Sequence, residues 1–279
     1  MTLRDLKTLD ECRAIVDLQV AVWGRDMETV PAGVLLVSAK RGGILIAAEE
    51  AGRLAGFVWS MPGLRGEVRS HWSHMLAVLP EFRGRGLAEA LKLEQRQRAL
   101  AQGAELVEWT FDPLQAGNAH LNFVCLGAIA GQYLADAYGS LSGPLHRGTP
   151  TDRLVAEWWI RRPHVERRLA ARFAPAVARS AEVVEAPYAL EAREEGGWVV
   201  AGRVDRDLDA PRVRIPVPPR FGQMQAQATP LALAWRMAAR QAFQAYFGRG
   251  YRAVDFFLDR ASGGGEYLVT DTERRLASF

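Results

Sequence analysis

The segment that most clearly indicates chemistry is the run LAVLPEFRGRGLAEALKLEQ, residues 76–95. Its apolar start predicts a strand, a proline ends that strand, and a helical pattern follows the glycines. Unpaired N–H groups and the positive end of the dipole at a helix start suit an anion such as a diphosphate. Gly84 and Gly86 lack a Cβ, so the turn can adopt left-handed angles and let a phosphate approach closely. Arg83 and Arg85 add side-chain donors and charge.

This glycine-rich turn also has a family likeness. It lacks the four-residue gap and the Lys followed by Ser or Thr that a nucleotide-binding P-loop requires. It resembles motif A of the GNAT N-acetyltransferase superfamily, which runs Gln or Arg, two residues, Gly, one residue, then Gly or Ala. Arg83, Gly86 and Ala88 match that pattern. The order of predicted elements is similar to that of the family over roughly residues 2–160.

The resemblance implies a binding site for acetyl-coenzyme A, or another acyl-coenzyme A, as cosubstrate. Backbone amides of the turn would hold its pyrophosphate: Arg83, Gly84, Arg85, Gly86, Leu87 and Ala88. Main-chain groups of the preceding strand would bind the pantetheine arm: Met75, Leu76, Ala77 and Val78. One of those strand amides would also polarise the thioester carbonyl as an oxyanion donor.

Acyl transfer to an amine requires a group that accepts the proton of the amine, and His74 is our candidate for this base. An ordinary histidine pKa of about 6.5 suits proton transfer near neutrality. In a regular strand His74 and Leu76 share one face, and His71 points to the other. Some GNAT enzymes carry a Glu on this face, but Trp72 stands at the aligned position here. His74 would thus take the role of that Glu only because it lies close to the same position. The alternative is that His74 forms hydrogen bonds within the core or binds the substrate.

The acid that protonates the leaving thiolate is less clearly indicated. The family places a Tyr four residues before the glycine of its next motif, and that position is Phe123, before Gly127. Tyr133 and Tyr138 lie close in sequence and are the candidate acids, with packing as their alternative role. Direct release of the thiolate or a water relay also stays open.

Polar residues follow the strand that ends near residue 111. Asp112, Asn118, His120 and Asn122 would grip the acceptor or the pantetheine amides, Asn118 and Asn122 on the coenzyme side, with turn formation and helix capping as the alternative. A later trio would line the acceptor pocket or form structural ion pairs: Asp152, Arg153 and Glu157.

The composition limits the partners. The sequence has 35 Lys and Arg residues and 32 Asp and Glu residues, which gives a formal net charge of only +3. It has no long basic segment interleaved with aromatic residues, as a nucleic-acid-binding surface would require. Cys12 and Cys125 lack metal-ligand spacing, which indicates a reduced, cytoplasmic setting and no metal site. The charged N-terminus and the absence of any window of about 18 apolar residues argue against a signal peptide or a membrane span.

Hydrophobic periodicity and turn residues predict alternating strands and helices. The expected helices are 10–23, with Asp10 as its cap, a shorter helix after Pro31 that ends at Gly42 and Gly43, 87–102, 118–126, a solvated connector helix at 161–172, and 230–247. The expected strands are 44–50, 54–61, 68–79, 106–111, 153–160, 198–204, 212–217, 252–258 and 266–270.

The predicted fold class is α+β, layered, with a GNAT-like mixed, mostly antiparallel central sheet flanked by helices. A change of composition at Pro163 divides the chain into an acyl-coenzyme A-binding domain, 1–162, and a smaller α+β domain, 163–279. The order of strand, helix and strand over 212–258 in the second domain resembles half of a GNAT unit. It has no glycine-rich turn, so we expect no second coenzyme there. The second domain would shape the acceptor side or form an interface, as in a homodimer.

Two functions fit this pattern. The first is an N-acyltransferase that moves an acetyl or succinyl group to the primary amine of a small molecule such as an amino acid, by direct attack on the thioester. The second is a non-catalytic module that binds coenzyme A for sensing or assembly, which the Phe at position 123 would suit.

Overall fold

The structure, a computed structural model, describes residues 1–25, 28–139, 148–171 and 185–271. The chain forms two compact units, Met1–Trp109 with Trp158–Arg162, and Thr110–Glu157 with Pro163–Phe279. Residues 110–157, predicted to belong to an N-terminal domain, thus cluster with the C-terminal residues. The domain boundary after residue 162 stays a prediction, and residues 172–184 and 272–279 of the predicted second domain lie outside the described residues.

The elements alternate along the chain. The strands are β1 (Thr2–Asp5), β2 (Ile44–Glu50), β3 (Arg53–Arg65), β4 (Val68–Val78), β5 (Leu106–Phe111), β6 (Ile129–Leu134), β7 (Arg153–Trp159), β8 (Leu190–Glu195), β9 (Trp198–Val204), β10 (Arg212–Val217), β11 (Tyr251–Leu258) and β12 (Gly265–Asp271). The helices are α1 (Leu9–Trp23), α2 (Ala32–Lys40), α3 (Leu87–Ala101), α4 (Ala116–Ala119), α5 (Pro163–Ala171), α6 (Phe221–Gln227) and α7 (Thr229–Gly248). The predicted class, α+β with mostly antiparallel pairing flanked by helices, is confirmed.

The first unit pairs β1 to β5 in chain order. The strands β1 to β4 are antiparallel neighbours, and β5 lies parallel to β4. Hydrophobic side chains on one face of this sheet pack with α1 and α2 into a buried core: Leu6, Cys12, Ile15, Leu18, Leu35, Leu45, Ala47, Phe57, Trp59 and Ala77. The other face contacts α3 through buried polar side chains of β4.

Helix α1 begins one residue before the predicted start. Its cap is Thr8, and not Asp10 as expected from the sequence. The Thr8 side chain accepts a hydrogen bond from the Glu11 amide, and the Glu11 carboxylate accepts one from the Thr8 amide, 2.9 Å away. This capping box satisfies two amides that would otherwise lack partners, and a single Asp10 cap would satisfy one.

The second unit pairs β7, β6, β11, β12 and β10 in that order, and β8 and β9 form a separate hairpin. Helix α7 supplies its core with fully buried Trp235 and Phe243, while the Trp235 indole donates to the Val199 carbonyl at 2.8 Å. The predicted helix 118–126 is replaced by α4 and a π-helical segment, His120–Cys125. Gln115 caps α4, so Asn118 lies inside it and is not the cap.

No helix among the described residues has both the length and the apolar character needed to cross a membrane.

Candidate active site

The glycine-rich turn leads from β4 into α3 with its backbone amides open. Gly84 and Gly86 have φ angles of +76° and +78°, the left-handed conformation that glycine adopts without steric cost. A Cβ built on either glycine would meet no atom within 4 Å, so space lies beside the turn. Among the described residues, no protein atom accepts a hydrogen bond from the amides of residues 84–88. The first amides of α3 are therefore free to bind an anion.

The two arginines of the turn have protein contacts of their own. Arg83 donates through Nε to the Val78 carbonyl, 3.1 Å away, which ties the turn to the end of β4. The Arg85 guanidinium lies 3.2 Å from a carboxylate oxygen of Glu50 and 5.5 Å from the centre of the Phe82 ring. The arginine side chains hold the turn in place as well as bringing positive charge to it.

The strands β4 and β5 separate beside this turn. They pair only from Ser70 to Trp72 of β4, opposite Leu106 to Glu108 of β5. Beyond Trp72, β4 hydrogen-bonds to β3 alone among the described strands. Main-chain groups of residues 75–78 on the β5 side of β4 thus lack ladder partners, as a strand that binds an extended ligand requires.

A β-bulge in β4 places His74. Ser73 pairs with Ser60 and Met75 with Trp59, so His74 is the extra residue. Its exposed side chain meets the indole of Trp59 edge-on. Leu76 pairs with Val58, whose side chain lies on the face opposite to that of Trp59. The prediction that His74 and Leu76 share a face is therefore wrong, because the bulge shifts the alternation by one residue.

The imidazole of His74 has a pKa below 6.5, because surrounding protein atoms displace water that would stabilise its charged form. His71 is buried and lies on the α3 face of the sheet, which is opposite to the face of His74, as predicted. Its ring nitrogens are 3.2 Å from Ser60 Oγ and 2.9 Å from Gln102 Oε1. His71 is thus a structural residue, and His74 is the histidine of β4 that solvent reaches.

Beneath the bulge lies a buried polar cluster that the sequence patterns did not indicate. The Lys92 amine of α3 donates to Ser73 Oγ at 3.1 Å and to Gln95 Oε1 at 2.8 Å. Its Nζ atom is also 3.6 Å from the centre of the Trp109 ring. Burial without a carboxylate partner among the described residues lowers its pKa well below 10.5. The available signal was the spacing of Lys92 and Gln95 with the apolar residues Leu91 and Ala99 on one face of α3.

Residues 12–121, which include the strand, the turn and the helix described above, match the family model for the acetyltransferase (GNAT) family. The chain contains a GNAT acetyltransferase domain.

Solved acetyltransferases resemble the chain that carries this GNAT domain. One is the ribosomal-protein-alanine N-acetyltransferase from Brucella melitensis, at 17% identity over 56% of this chain and 98% of that chain, with a TM-score of 0.45. Another is an aminoglycoside 6'-acetyltransferase type Ii, at 17% identity over 57% and 97%, with a TM-score of 0.46. A third is an acetyltransferase from Salmonella typhimurium with its cofactor acetyl-CoA, at 17% identity over 65% and 98%, with a TM-score of 0.45. No curated protein sequence matches the chain significantly.

The candidate acid Tyr133 lies in the second unit and is tied to Asp152. Its hydroxyl donates to the Asp152 carboxylate at 2.6 Å, and its ring stacks on Phe243. Burial, together with the negative charge of Asp152, raises the pKa of Tyr133 far above 10. A hydroxyl held in this way releases its proton poorly, so its geometry does not favour the role of acid.

The other predicted polar residues of the second unit differ in exposure. Tyr138 is exposed, and its hydroxyl lies 2.7 Å from Thr110 Oγ1. Asn118 is exposed on α4. Asn122 is buried in the π-helical segment, and its Nδ2 atom has no hydrogen-bond partner among the described residues. Such an amide is suited to bind a carbonyl oxygen, whereas Asn118 is open to solvent.

Acidic side chains of the second unit form ion pairs with arginines of α7 and β11. Asp112 and Asp152 pair with Arg236 and Arg240, each carboxylate with both oxygens in contact. Glu157 lies 3.1 Å from Arg252. Of the alternatives for Asp152 and Glu157, the structure shows the ion pairs. In the described part of the chain, no group of three or more His, Cys, Asp and Glu side chains is placed to hold a metal ion.

Proposed function

We propose that this chain is an acyl-coenzyme A-dependent N-acyltransferase that transfers an acetyl or succinyl group to the primary amine of a small molecule such as an amino acid. The observation that carries the proposal is the set of unpartnered amides at residues 84–88, beside open space, inside a GNAT domain. We place the activity in the cytoplasm, because the chain has only two cysteines and they form no disulfide.

The residues of the turn fit a diphosphate. Five successive amides, 84–88, lie at the start of α3 with no acceptor among the described residues, and charge-assisted hydrogen bonds from such amides are among the stronger ones in proteins. The helix dipole adds to the attraction for the negative charge. Backbone groups of Met75–Val78, which pair with no described strand on the β5 side, would align the pantetheine arm along β4, except for the Val78 carbonyl that Arg83 already contacts. Buried Asn122 is a further candidate contact for a ligand amide.

When bound, the acyl thioester would supply the electrophilic carbonyl carbon. The residues of this chain would position the thioester and accept the proton of the amine. His74 is uncharged at neutral pH, because its pKa is lowered, so its ring can accept the proton that the attacking amine must lose. An amide of β4 at the bulge would donate to the carbonyl oxygen as charge develops there.

The leaving thiolate does not need an acid near neutrality. An ordinary thiol has a pKa of about 8.5, so a thiolate is a tolerable leaving group close to pH 7. The hydroxyl of Tyr133 is held by Asp152, and the hydroxyl of Tyr138 shares a hydrogen bond with Thr110. We therefore infer direct release of the thiolate, or protonation through water, with Tyr138 as the remaining side-chain candidate.

A non-catalytic coenzyme A-binding module is the second candidate function. Phe123 favours it, because this position carries a fully buried aromatic ring between Phe111 and Tyr267 with no group to donate a proton.

Thiol release from acetyl-coenzyme A and succinyl-coenzyme A, measured with a panel of small amines, separates the two functions. Release that depends on the amine supports the acyltransferase. Tight binding of the coenzyme without release with any amine supports the sensing module. If the coenzyme does not bind at all, both functions are wrong.

A further inference from the structure

One arginine of the second unit, Arg153, forms no ion pair with a carboxylate in the part of the chain that the structure describes. Arg153 begins β7, and its only hydrogen bond among the described residues runs from Nη1 to the backbone carbonyl of Asp152, 2.9 Å away. Its guanidinium lies 5.2 Å from the centre of the Tyr138 ring. The side chain is partly buried, and desolvation lowers the pKa of Arg153 despite the attraction of nearby Asp112.

The neighbouring carboxylates are already neutralised by other arginines. Asp112 Oδ1 and Oδ2 lie 2.6 and 2.8 Å from the guanidinium of Arg236. Asp152 Oδ2 and Oδ1 lie 2.9 and 2.6 Å from that of Arg240. These two bidentate pairs occupy the oxygens of both carboxylates, so Arg153 forms no ion pair with either of them. A desolvated cation without a partner is costly, and a bound anion would remove that cost.

The groups beside Arg153 suit a planar anion. The hydroxyls of Tyr138 and Thr110 share one hydrogen bond, in which either can donate. One of their two hydroxyl hydrogens therefore remains for a ligand. A guanidinium edge together with an adjacent hydroxyl matches the two oxygens of a carboxylate. Tyr138 is 48% exposed, so a small molecule can reach this position.

We propose that Arg153, with the Tyr138 and Thr110 hydroxyls, binds the carboxylate of a small-molecule substrate. This inference rests on the proposed N-acyltransferase activity and defines its substrate class as carboxylate-bearing. The carboxylate has two sources, the α-carboxylate of an amino-acid acceptor or the distal carboxylate of a succinyl-type acyl group. In both cases the predicted contact is a charge-assisted hydrogen bond to the guanidinium.

The test compares substrates that carry the carboxylate with substrates that lack it. The acceptor pair is leucine and isopentylamine, and the donor pair is succinyl-coenzyme A and acetyl-coenzyme A. The variants are Arg153→Gln, which removes the charge, and Arg153→Lys, which keeps the charge without the planar edge. Arg193→Gln is the control, because Arg193 is an exposed arginine of the same unit that pairs with Glu195. Thermal melting of each variant verifies that it folds.

For an acceptor site, Arg153→Gln raises the KM for leucine about 10- to 100-fold and leaves the KM for isopentylamine within about twofold. For a donor site, the same selective rise falls on succinyl-coenzyme A and spares acetyl-coenzyme A. Arg153→Lys recovers part of the loss in either case, and Arg193→Gln matches the wild type. Equal effects on both members of each pair, no effect, or a loss confined to acetyl-coenzyme A would overturn the proposal.

Direct binding separates this inference from the proposed activity. If no amine releases thiol from any donor, calorimetric titration with N-acetyl-leucine and with N-isopentylacetamide replaces the kinetic test. Binding of N-acetyl-leucine that Arg153→Gln weakens about tenfold or more then supports the carboxylate site while the proposed activity fails. Failure of N-acetyl-leucine to bind more tightly than the uncharged amide would contradict the site.

Discussion

The imidazole of His74 meets the indole of Trp59 edge-on, with 5.2 Å between the ring centres and 75° between the ring planes. The β-bulge in β4 produces this contact, because it turns His74 toward the face of the sheet that carries Trp59. The edge contact holds the ring of an otherwise exposed side chain in one place. It also removes water from the ring, which lowers the pKa of His74.

Replacing His74 tests its role as the base. We expect His74→Gln to lower kcat by about 10²- to 10⁴-fold with little change in coenzyme affinity. In the wild type, kcat at saturating amine should show an acid limb below pH 6.5 that the variant lacks, because the base is active when uncharged and its pKa is lowered. The measurement is thiol release between pH 5 and 9. An unchanged kcat in the variant, or the same acid limb below pH 6.5 in both proteins, would exclude His74 as the base.

The ion pair of Asp112 and Arg236 is expected to stabilise the second unit. The Arg236 side chain is 1% exposed and that of Asp112 14%, so removing one partner leaves a buried charge. Arg236→Met should lower the free energy of unfolding by about 3 to 5 kcal/mol, and adding Asp112→Asn should restore part of it. The exposed pair of Arg193 and Glu195 serves as the control, where Arg193→Met should cost less than about 1 kcal/mol. Additive losses in a double-mutant cycle would contradict this account.

The same pair predicts a loss of stability in acid. Burial alone would raise the pKa of Asp112, but the charge and hydrogen bonds of Arg236 lower it overall. The unfolded chain therefore binds a proton before the folded chain does, and stability falls as the pH drops below about 4 toward the folded pKa. Unfolding by urea between pH 2 and 6 should show a smaller acid-dependent loss in the double variant than in the wild type. Equal losses would contradict the lowered pKa.

Buried Lys92 predicts stability that rises with pH. Its pKa is lowered in the folded chain, so the unfolded chain binds more protons wherever the pH lies between the folded pKa and about 10.5. The free energy of unfolding of the wild type, relative to Lys92→Met, should therefore increase from pH 7 to pH 10. Exposed Lys40→Met controls for the loss of a positive charge. A constant difference between wild type and Lys92→Met would indicate that Lys92 stays charged against the Trp109 ring.

Much of the fold could be predicted from local patterns. The strand 106–111 and the hairpin of β2 and β3 could be predicted from runs of apolar residues and from the turn residues between them. Thr8 as the cap of α1 could also have been predicted, because TLDE is a capping-box pattern. Strands β1, β6 and β8 and helix α6 were not predicted. Helix α6 follows two prolines and begins after Arg220, whose φ of +53° has no sequence signal.

The parts of the candidate site that escaped prediction depend on tertiary structure. A bulge inserts one residue without any mark in the local sequence, so the face of His74 could not be derived from alternation. Lysine is rarely fully buried, and its burial at Lys92 follows from the packing of α3 against β4. The partners of Asp112 and Asp152 lie 124 and 88 residues further along the chain, beyond any local pattern.

Calorimetric titration of coenzyme A into glycine variants is the most direct test of the turn. Gly84→Ala places a methyl group in the open space beside the free amides, and Gly52→Ala makes the same change in the hairpin turn between β2 and β3. Both glycines have positive φ angles, +76° and +74°, and no atom within 4 Å of an added Cβ, so both variants carry a similar backbone strain of about 1 to 2 kcal/mol. We predict that Gly84→Ala weakens coenzyme A binding about tenfold or more while Gly52→Ala leaves it unchanged. Equal affinities of the two variants, or no heat with the wild type, would contradict coenzyme binding at this turn.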